Sequence, residues 1–458
     1  MAIKDVDQAG PEQENAQRKF SALSAAKFGA RVAEKELKEL SLYFVETDEW
    51  RQLLTGDIDI VFGEKGSGKS ALYSLLIQAE DELFAGNVLV VPVEKPTGKP
   101  VFNLFLTDPP LSEAEFVGIW KLYFLALTAG VLRDWKIETD SARNVYNAMK
   151  KAGLMVAPSK LDAVLGRVRA YVRRVSEIES GLAIDPGSGL PLAVTAKVTL
   201  AEPPSPADLL SQISIDELLR DANTALEETD LAVWLALDRL DVVFGEQLKL
   251  EQMALRALFR TYRDIDDLPN IKLKLFLRSD IWRRITAGGF REQSHFTEAS
   301  TITWSRHSLR SLVTRRLCNN DELRDYYSLD KKSIDAETQE KLLARVLPHQ
   351  SNPSGEAAFD WLIKLVSDGS GHAMPRELIH LLTASRSRQI SRIESGHEIP
   401  SGEVLFDASS INLAHQEVSQ ARLDMVFAEY PNMKQFIEWL ERSGHQPSLQ
   451  TLQHAVAC

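Results

Sequence analysis

The residues best suited to chemistry in this chain lie at positions 63–70, where the sequence reads GEKGSGKS. Gly-x-x-x-x-Gly-Lys-Ser is the spacing of a phosphate-binding loop, whose backbone N–H groups surround phosphate oxygens. Lys69 can reach β- and γ-phosphates, and the Ser70 hydroxyl suits Mg²⁺. A helix starting there would point its partial positive charge at the same anion. The expected contacts with the phosphates are Gly63, Glu64, Lys65, Gly66, Ser67, Gly68, Lys69, Ser70 and Ala71.

The segments on either side of this loop have the composition that such a loop requires. An apolar run at 57–62 predicts a strand before it, and residues 71–77 predict a helix after it. The alternative is a glycine-rich turn between strand and helix that holds no ligand. The flanks and the length of the motif favour binding of a nucleoside triphosphate.

A candidate metal ligand lies far downstream, at the end of another predicted strand. Residues 231–237 are apolar throughout, as in a parallel strand buried on both faces, and Asp238 follows them. A carboxylate at the carboxyl end of a neighbouring strand can hold Mg²⁺ through water. We expect this role for Asp238, with Asp241 close enough to add a second carboxylate. The alternative is an aspartate that only caps a turn.

The composition indicates a water-soluble protein of two or three domains. Of 458 residues, 44% are hydrophobic and 26% charged, and the net charge of −12 argues against a wholly basic nucleic-acid coat protein. We find no apolar run long enough to cross a membrane and no signal peptide. The two cysteines, Cys318 and Cys458, cannot form a disulfide framework. We therefore expect a cytoplasmic protein that does not enter a membrane.

Apolar periodicity predicts alternating strands and helices. Strands are expected at 88–93, where Pro92 indicates an edge or end position, and at 271–277. Alternation of this kind predicts a parallel sheet with helices on both faces. Ser214 and Glu217 have the spacing of a helix capping box. Helices are expected at 112–133, 159–179, 214–228 and 248–264, a hairpin strand at 193–200, and helices alone from 304 onward.

The predicted organisation has four parts. They are a disordered tail at 1–19, a nucleotide-binding core at 20–300, a helical lid at 301–400 and a C-terminal helical segment at 401–458. Within the core, an amphipathic helix is expected between 20 and 42, and about 101–213 is interpreted as a mostly helical insertion. The C-terminal segment has an apolar set that packs the lid or, alternatively, binds a partner: Ile411, Leu413, Leu423, Val426, Phe427, Phe436, Trp439 and Leu440.

Three further groups of charged residues have more than one interpretation. Arg278-Ser279-Asp280 ends a strand and places polar groups near a γ-phosphate or forms a simple ion pair. A basic stretch contacts nucleic-acid phosphates, supplies an arginine finger to a neighbouring subunit, or consists of helix faces paired with acids. Arg167 to Arg174 has the same alternatives. The basic stretch comprises Lys272, Lys274, Arg278, Arg283, Arg284, Arg291, Arg306, Arg310, Arg315 and Arg316.

A glycine break precedes GHAMPREL at 371–378, in which Pro375 suits the first turn of a helix. Arg376 then occupies a position from which a helical lid could reach a nucleotide.

These motifs together resemble the ASCE group of P-loop ATPases, and within it the bacterial STAND/KAP-like and Orc/Cdc6-like AAA+ ATPases. The lead-in at 28–47 resembles that of a P-loop ATPase family found among mobile and anti-phage defence genes. The residues that carry the resemblance are GEKGSGKSAL at 63–72, LALDRLD at 235–241, RSD at 278–280, the helix from Trp304 to Arg316, and GHAMPREL at 371–378.

The resemblance implies an α/β P-loop NTPase fold, with a parallel sheet flanked by helices, a mostly helical insertion and a C-terminal all-helical lid. It implies ATP and Mg²⁺ as ligands and places residues 43–50 near the adenine. Ser70 and Asp238 would hold the metal. The implied catalytic residues are Lys69, Asp238, Asp241 and the sensor-2 arginine, Arg376.

One residue departs from the pattern of the family. Many relatives have an acid directly after the metal aspartate, where this chain has Arg239. Asp241, and more weakly Glu94, are the remaining candidates for the general base. We therefore predict a slow regulatory ATPase that acts as a switch with ATP or ADP bound, through self-association or a partner effector protein. The alternatives are a nucleic-acid-stimulated ATPase, a small-molecule kinase and a nucleotide-binding scaffold.

Overall fold

The structure is a computed structural model in which two compact units are distinguished, one formed by Glu46–Thr303 and the other by Met1–Val45 with Trp304–Cys458. The first is an α/β unit, and the second is helical in the part that the structure describes. The residues described are 11–30, 36, 39–93, 111–155, 168, 214–240, 247–287, 289–290, 294–329, 335–348 and 357–442.

Five parallel strands in the order β2-β3-β4-β1-β5 form the sheet of the α/β unit. The four strands predicted from apolar runs are confirmed, and β3 is buried along nearly all its length. The short β5 was not predicted, because three residues are too few for a periodic signal. The strands are β1 (Ile60–Gly63), β2 (Val88–Val93), β3 (Ala232–Leu237), β4 (Ile271–Arg278) and β5 (Ala299–Thr301).

Pro92 lies in an edge strand, as its missing N–H group predicts. Among the described residues β2 pairs only with β3, so no described strand on its other side needs a donor from Pro92.

Helices cover both faces of this sheet. Tyr73, in the helix after β1, packs edge-on against Phe276 of β4, with ring centroids 5.7 Å apart. Neighbouring strand residues point to opposite faces, and Leu275 and Leu277 join a separate core cluster with Phe259. The helices of this unit are α2 (Asp48–Thr55), α3 (Lys69–Gln78), α4 (Glu80–Ala85), α5 (Glu113–Asp134), α6 (Asp140–Lys151), α7 (Ile215–Glu227), α8 (Leu248–Asp266) and α9 (Ser279–Thr286).

Helix α5, which lies in the predicted insertion, packs into the core of the α/β unit. It packs against α7 and α8, and Trp120, Tyr123 and Phe124 are almost completely buried. Its length and composition would suffice to cross a membrane, yet most of it is buried inside the protein, as is usual for a core helix of a soluble protein. The predicted capping box of α7 is confirmed: Ser214 and Glu217 each accept a hydrogen bond from the backbone N–H of the other.

The predicted all-helical character from 304 onward is confirmed for the residues described there. Their core includes Leu309, Tyr327, Phe359, Leu378 and Phe406. With α1 (Pro11–Ala25), the helices of this unit are α10 (Arg306–Cys318), α11 (Asp321–Tyr327), α12 (Ala336–Val346), α13 (Ala358–Val366), α14 (Pro375–Glu394), α15 (Ala408–Glu429) and α16 (Lys434–Arg442).

The N-terminal segment corrects three predictions. Residues 20–45 belong to the helical unit and not to the nucleotide-binding core, because Leu23 and Phe28 are buried in the helical cluster. Helix α1 begins at Pro11, inside the predicted disordered tail, and ends at Ala25 rather than near 42. Composition was a poor guide here because Lys19, although charged, is buried and donates hydrogen bonds to two backbone carbonyl oxygens.

Several predictions concern residues outside those described. These are the remainder of the tail at 1–10, the helix at 159–179 apart from Val168, the strand at 193–200, the basic residues from Arg167 to Arg174, and residues 443–458.

Candidate functional site

The loop at 63–70 connects β1 to α3 and needs its glycines. Gly66 and Gly68 have φ values of 89° and 105°, in the left-handed region that favours glycine. A Cβ atom at Gly63 would lie 2.3 Å from the Ser67 hydroxyl oxygen, so a side chain there has no space. The glycine pattern of the sequence therefore reflects a tight loop, and Lys65 is its exposed residue.

The Lys69 ammonium group lies inside this loop. Its Nζ atom donates hydrogen bonds to the backbone carbonyl oxygens of Gly63, at 2.8 Å, and Glu64, at 2.9 Å. The Glu64 carbonyl also accepts from the Ser67 N–H at 3.1 Å. An ammonium group held by neutral carbonyls can exchange them for phosphate oxygens, which bind it more strongly.

The amino-terminal end of α3 has the properties of an anion site. Its N-cap is Gly68, so no side chain caps the first turn. Backbone N–H groups at a helix start favour an anion, and Ser70 is in the first turn. The Ala71 N–H already bonds the Gly68 carbonyl at 2.9 Å. Phosphate contact is therefore best supplied by the loop N–H groups before Ala71.

Asp238 lies near this loop in the sheet. Leu237 of β3 and Ile60 of β1 both pair with Leu275 of β4, so β3 and β1 are aligned on either side of one strand. Two strand spacings separate them, about 9.5 Å. Asp238 directly follows Leu237 and is 7% exposed. β4 lies between the two strands, so an ion near both would lie beyond the carboxyl end of β4, and Asp238 and Ser70 are the oxygen donors that could hold a hydrated cation there.

Arg239 follows Asp238 in a left-handed conformation, with φ of 59°. Such a backbone is uncommon for a residue with a side chain and marks a sharp turn directly after the strand. Asp241 and Glu94, the predicted candidates for the general base, lie outside the described residues.

The polar residues that end β4 lie between these two strands. Arg278 and Asp280 form a two-bond ion pair, at 2.9 and 2.8 Å, as the simpler interpretation predicted. Burial opposes ionisation of Asp280, but the hydrogen bonds and charge of Arg278 outweigh it and lower the pKa of that carboxyl. Ser279, between these two residues, takes no part in the ion pair. Its hydroxyl oxygen is shielded from solvent and has no hydrogen-bond partner among the described residues. Arg278 pairs with Gly63, so Ser279 follows at the height of the loop.

The basic stretch at 271–317 consists largely of ion pairs. Lys274 pairs with Asp59, Arg284 with Glu251 and Arg316 with Glu36. Lys272, Arg306 and Arg310 likewise contact carboxylates, while Arg315 donates to the Phe44 carbonyl and Arg291 lies outside the described residues. Paired helix faces are therefore the interpretation that the contacts favour. Arg283 is different because its carboxylate partner is Glu64 of the loop.

Two residues assigned to the nucleotide by resemblance belong to the helical unit. Arg376 is half-buried in the first turn of α14, beside Glu377, whose pKa burial raises. Tyr43 is buried beneath the Arg316 guanidinium, 3.9 Å from the ring centroid. The expected roles of both residues toward a nucleotide remain predictions.

A second set of carboxylates lies at the opposite edge of the sheet. One oxygen each of Asp59, Asp266 and Glu298 lies within 4.8 Å of the others, close enough for a metal ion. Asp59 already pairs with Lys274 at 2.6 Å, and Asp266 with Lys272 at 2.8 Å. Because lysines occupy these carboxylates, the set is better explained as an ion-pair network.

Comparison of the chain with protein-family models and with curated proteins finds no match. The assignment of a function therefore depends on the geometry of the residues themselves.

Proposed function

We propose that this chain is a P-loop ATPase of the ASCE type that binds ATP with Mg²⁺, hydrolyses it slowly and acts as a regulatory switch. The observation that carries the proposal is the glycine loop at 63–70, with the Lys69 ammonium inside it, separated by a single strand from Asp238. This combination supplies backbone donors, a cation and a carboxylate at the carboxyl-terminal edge of one sheet.

Each residue has a defined part in this proposal. In the proposal the loop N–H groups and Lys69 bind the phosphates, Ser70 and Asp238 hold the metal, and Ser279 donates a hydrogen bond to a terminal phosphate. Mg²⁺, when bound, neutralises phosphate charge. Asp241 is the proposed general base.

Slow hydrolysis is proposed because of the residue after Asp238. An arginine there cannot accept a proton from water, and its left-handed backbone commits the chain to a turn. A switch needs a long-lived bound state, which slow turnover provides.

The output of the switch is proposed to be self-association or binding of an effector protein in the cytoplasm. Resemblance alone suggests anti-phage defence and a lid function for the helical unit with Arg376. A supporting observation concerns the part of α15 after Val418 and the whole of α16. No residue there is fully buried, and the apolar residues among them include Val426, Phe427 and Trp439. Measuring the mass of the protein without nucleotide, with ATP and with ADP tests assembly. An unchanged monomer in all three states would leave the effector as the output.

The central experiment compares Lys69→Ala and Asp238→Ala with Lys150→Ala, a control on α6. Lys69→Ala should weaken ATP binding at least tenfold in calorimetry, because the loss of a charged contact typically costs about 1.5–3 kcal/mol. Both site variants should abolish phosphate release, because each lacks a group that would stabilise the charge of the reacting phosphates. The control should bind and turn over like the wild type. Normal turnover by either site variant would refute the assignment.

A further inference from the structure

An ion pair connects the loop at 63–70 to the helix that follows β4. Arg283, on α9, donates through Nη2 to the Glu64 carboxylate at 3.0 Å. Its Nε atom also donates to the Ser279 carbonyl at 3.3 Å, which orients the guanidinium. The two side chains are 69% and 45% exposed, so solvent reaches both.

The position of Glu64 gives this pair its significance. Glu64 is the first variable residue of the glycine motif, and its backbone carbonyl accepts a hydrogen bond from the Lys69 ammonium. Its carboxylate is therefore attached to the backbone that would surround the phosphates. A negative charge at that place repels an incoming polyanion unless a cation compensates it.

We propose that Arg283 is a charge-compensating residue that makes the loop receptive to nucleotide phosphates by neutralising Glu64. This inference rests on the proposed nucleotide-binding function and adds to it a determinant of selectivity for highly charged phosphate ligands. Arg283 acts through Glu64 and is a positioning residue, not a catalytic one.

Charge compensation predicts opposite effects for the two partners. Arg283→Gln should weaken Mg-ATP binding about threefold to tenfold, and Glu64→Gln should tighten it by a similar factor, since two charges several ångströms apart in a solvent-exposed site interact by about 1 kcal/mol. The double variant should return toward the wild-type affinity, and Arg283→Lys should restore most of the affinity lost in Arg283→Gln.

Two further readouts separate charge from structure. The effects should grow from adenosine, where none is expected, through AMP and ADP to ATP, and should shrink when the salt concentration rises from about 0.05 to 0.5 M. Arg143→Gln and Asp140→Asn, which alter an exposed ion pair on α6, are matched controls and should leave all affinities unchanged.

The outcomes distinguish this inference from the proposed function. Tighter binding in both single variants would overturn it, because the pair would then be a latch on the empty loop. Equal ATP affinity in the wild type and both single variants would also overturn it, provided that Lys69→Ala still weakens ATP binding and so shows that ATP binds at the loop. A wild-type protein that binds no nucleotide would refute the proposed function itself.

Discussion

Among the residues of the α/β unit that the structure describes, Lys274 is the most completely buried charged side chain. It is 0% exposed, and its ammonium contacts the Asp59 carboxylate at 2.6 Å, the Ile58 carbonyl at 2.9 Å and the Trp234 ring at 4.0 Å from the centroid. Burial lowers the pKa of Lys274, while Asp59 favours its charged form. A buried charge is tolerated when it is paired in this way, so this network stabilises one arrangement of the strand ends.

Glu298 lies at the edge of this network and predicts a pH effect. Burial, followed by the negative charge of Asp59, raises the pKa of Glu298 above its usual 4.5. A carboxyl with a raised folded-state pKa stabilises the fold below the unfolded pKa, and this contribution is lost as pH rises through the folded value.

Glu298→Gln should therefore increase the free energy of unfolding at pH 7, by at most about 1 kcal/mol because solvent screens a partly exposed group. Urea unfolding of the wild type and the variant at pH 7 and pH 4 measures this difference in the free energy of unfolding. The difference should narrow at pH 4, and a pH-independent difference would contradict the assignment.

At the scale of elements, the strands and helices that the sequence predicted well are those that are buried on both faces or that have a regular amphipathic period. β3 and α7 were predicted closely, since a continuous apolar run and a capping box are local signals. Helix α5 was predicted as a helix but assigned to an insertion, because its contacts with α7 and α8 come from residues roughly 100 or more positions away. The short β5 depends on pairing with β1 and has no comparable local signal.

Two tryptophans allow a matched test of which helices are core. Trp120 of α5 is 0% exposed and donates its indole N–H to the Ala254 carbonyl at 2.8 Å, whereas α16, which contains Trp439, has no buried residue. Trp120→Ala should cost about 3–5 kcal/mol, and Trp439→Ala within about 0.5 kcal/mol.

Urea unfolding of each variant gives the comparison, with Trp120→Phe as a control that retains most of the buried volume. A large loss for Trp439→Ala would mean that α16 packs as part of the core.

At the scale of the whole molecule, negative charge is concentrated at one edge of the sheet. The described segments that enter the five strands have nine acids and no lysine or arginine at 56–59, 86–87, 227–231, 264–270 and 294–298. The loop at 63–70 is at the opposite, carboxyl-terminal edge. Lysines pair with Asp59, Asp264 and Asp266, and the excess of acids that is left at this edge repels polyanions, so nucleic acid is not expected there. The nine acids are Asp57, Asp59, Glu227, Glu228, Asp230, Asp264, Asp266, Asp267 and Glu298.

The division into two units predicts the effect of removing residues 1–45. Helix α1 packs against α11 and α14, so the deletion should lower the unfolding temperature of the helical unit by at least about 5 °C and leave that of the α/β unit unchanged. Scanning calorimetry of the full chain and the deletion variant measures both transitions.

ATP binding should survive this deletion, because the loop and Asp238 belong to the α/β unit and the deletion removes only residues 43–45 of the segment that the resemblance places near the adenine. Equal loss of stability in both units would contradict the division.

The sequence by itself determined the glycine loop with Lys69, the four strands that have apolar runs and several of the helices between them, because glycine spacing, apolar runs and caps are local. Only the tertiary structure decided which charges neutralise one another. The basic stretch became a set of ion pairs, Arg278 paired with Asp280, and Arg283 paired with Glu64 of the loop from 219 positions away. The tertiary structure also decided that residues 20–45 belong to the helical unit. Coulomb interactions act through space, so charge partners distant in sequence are fixed only when the chain has folded.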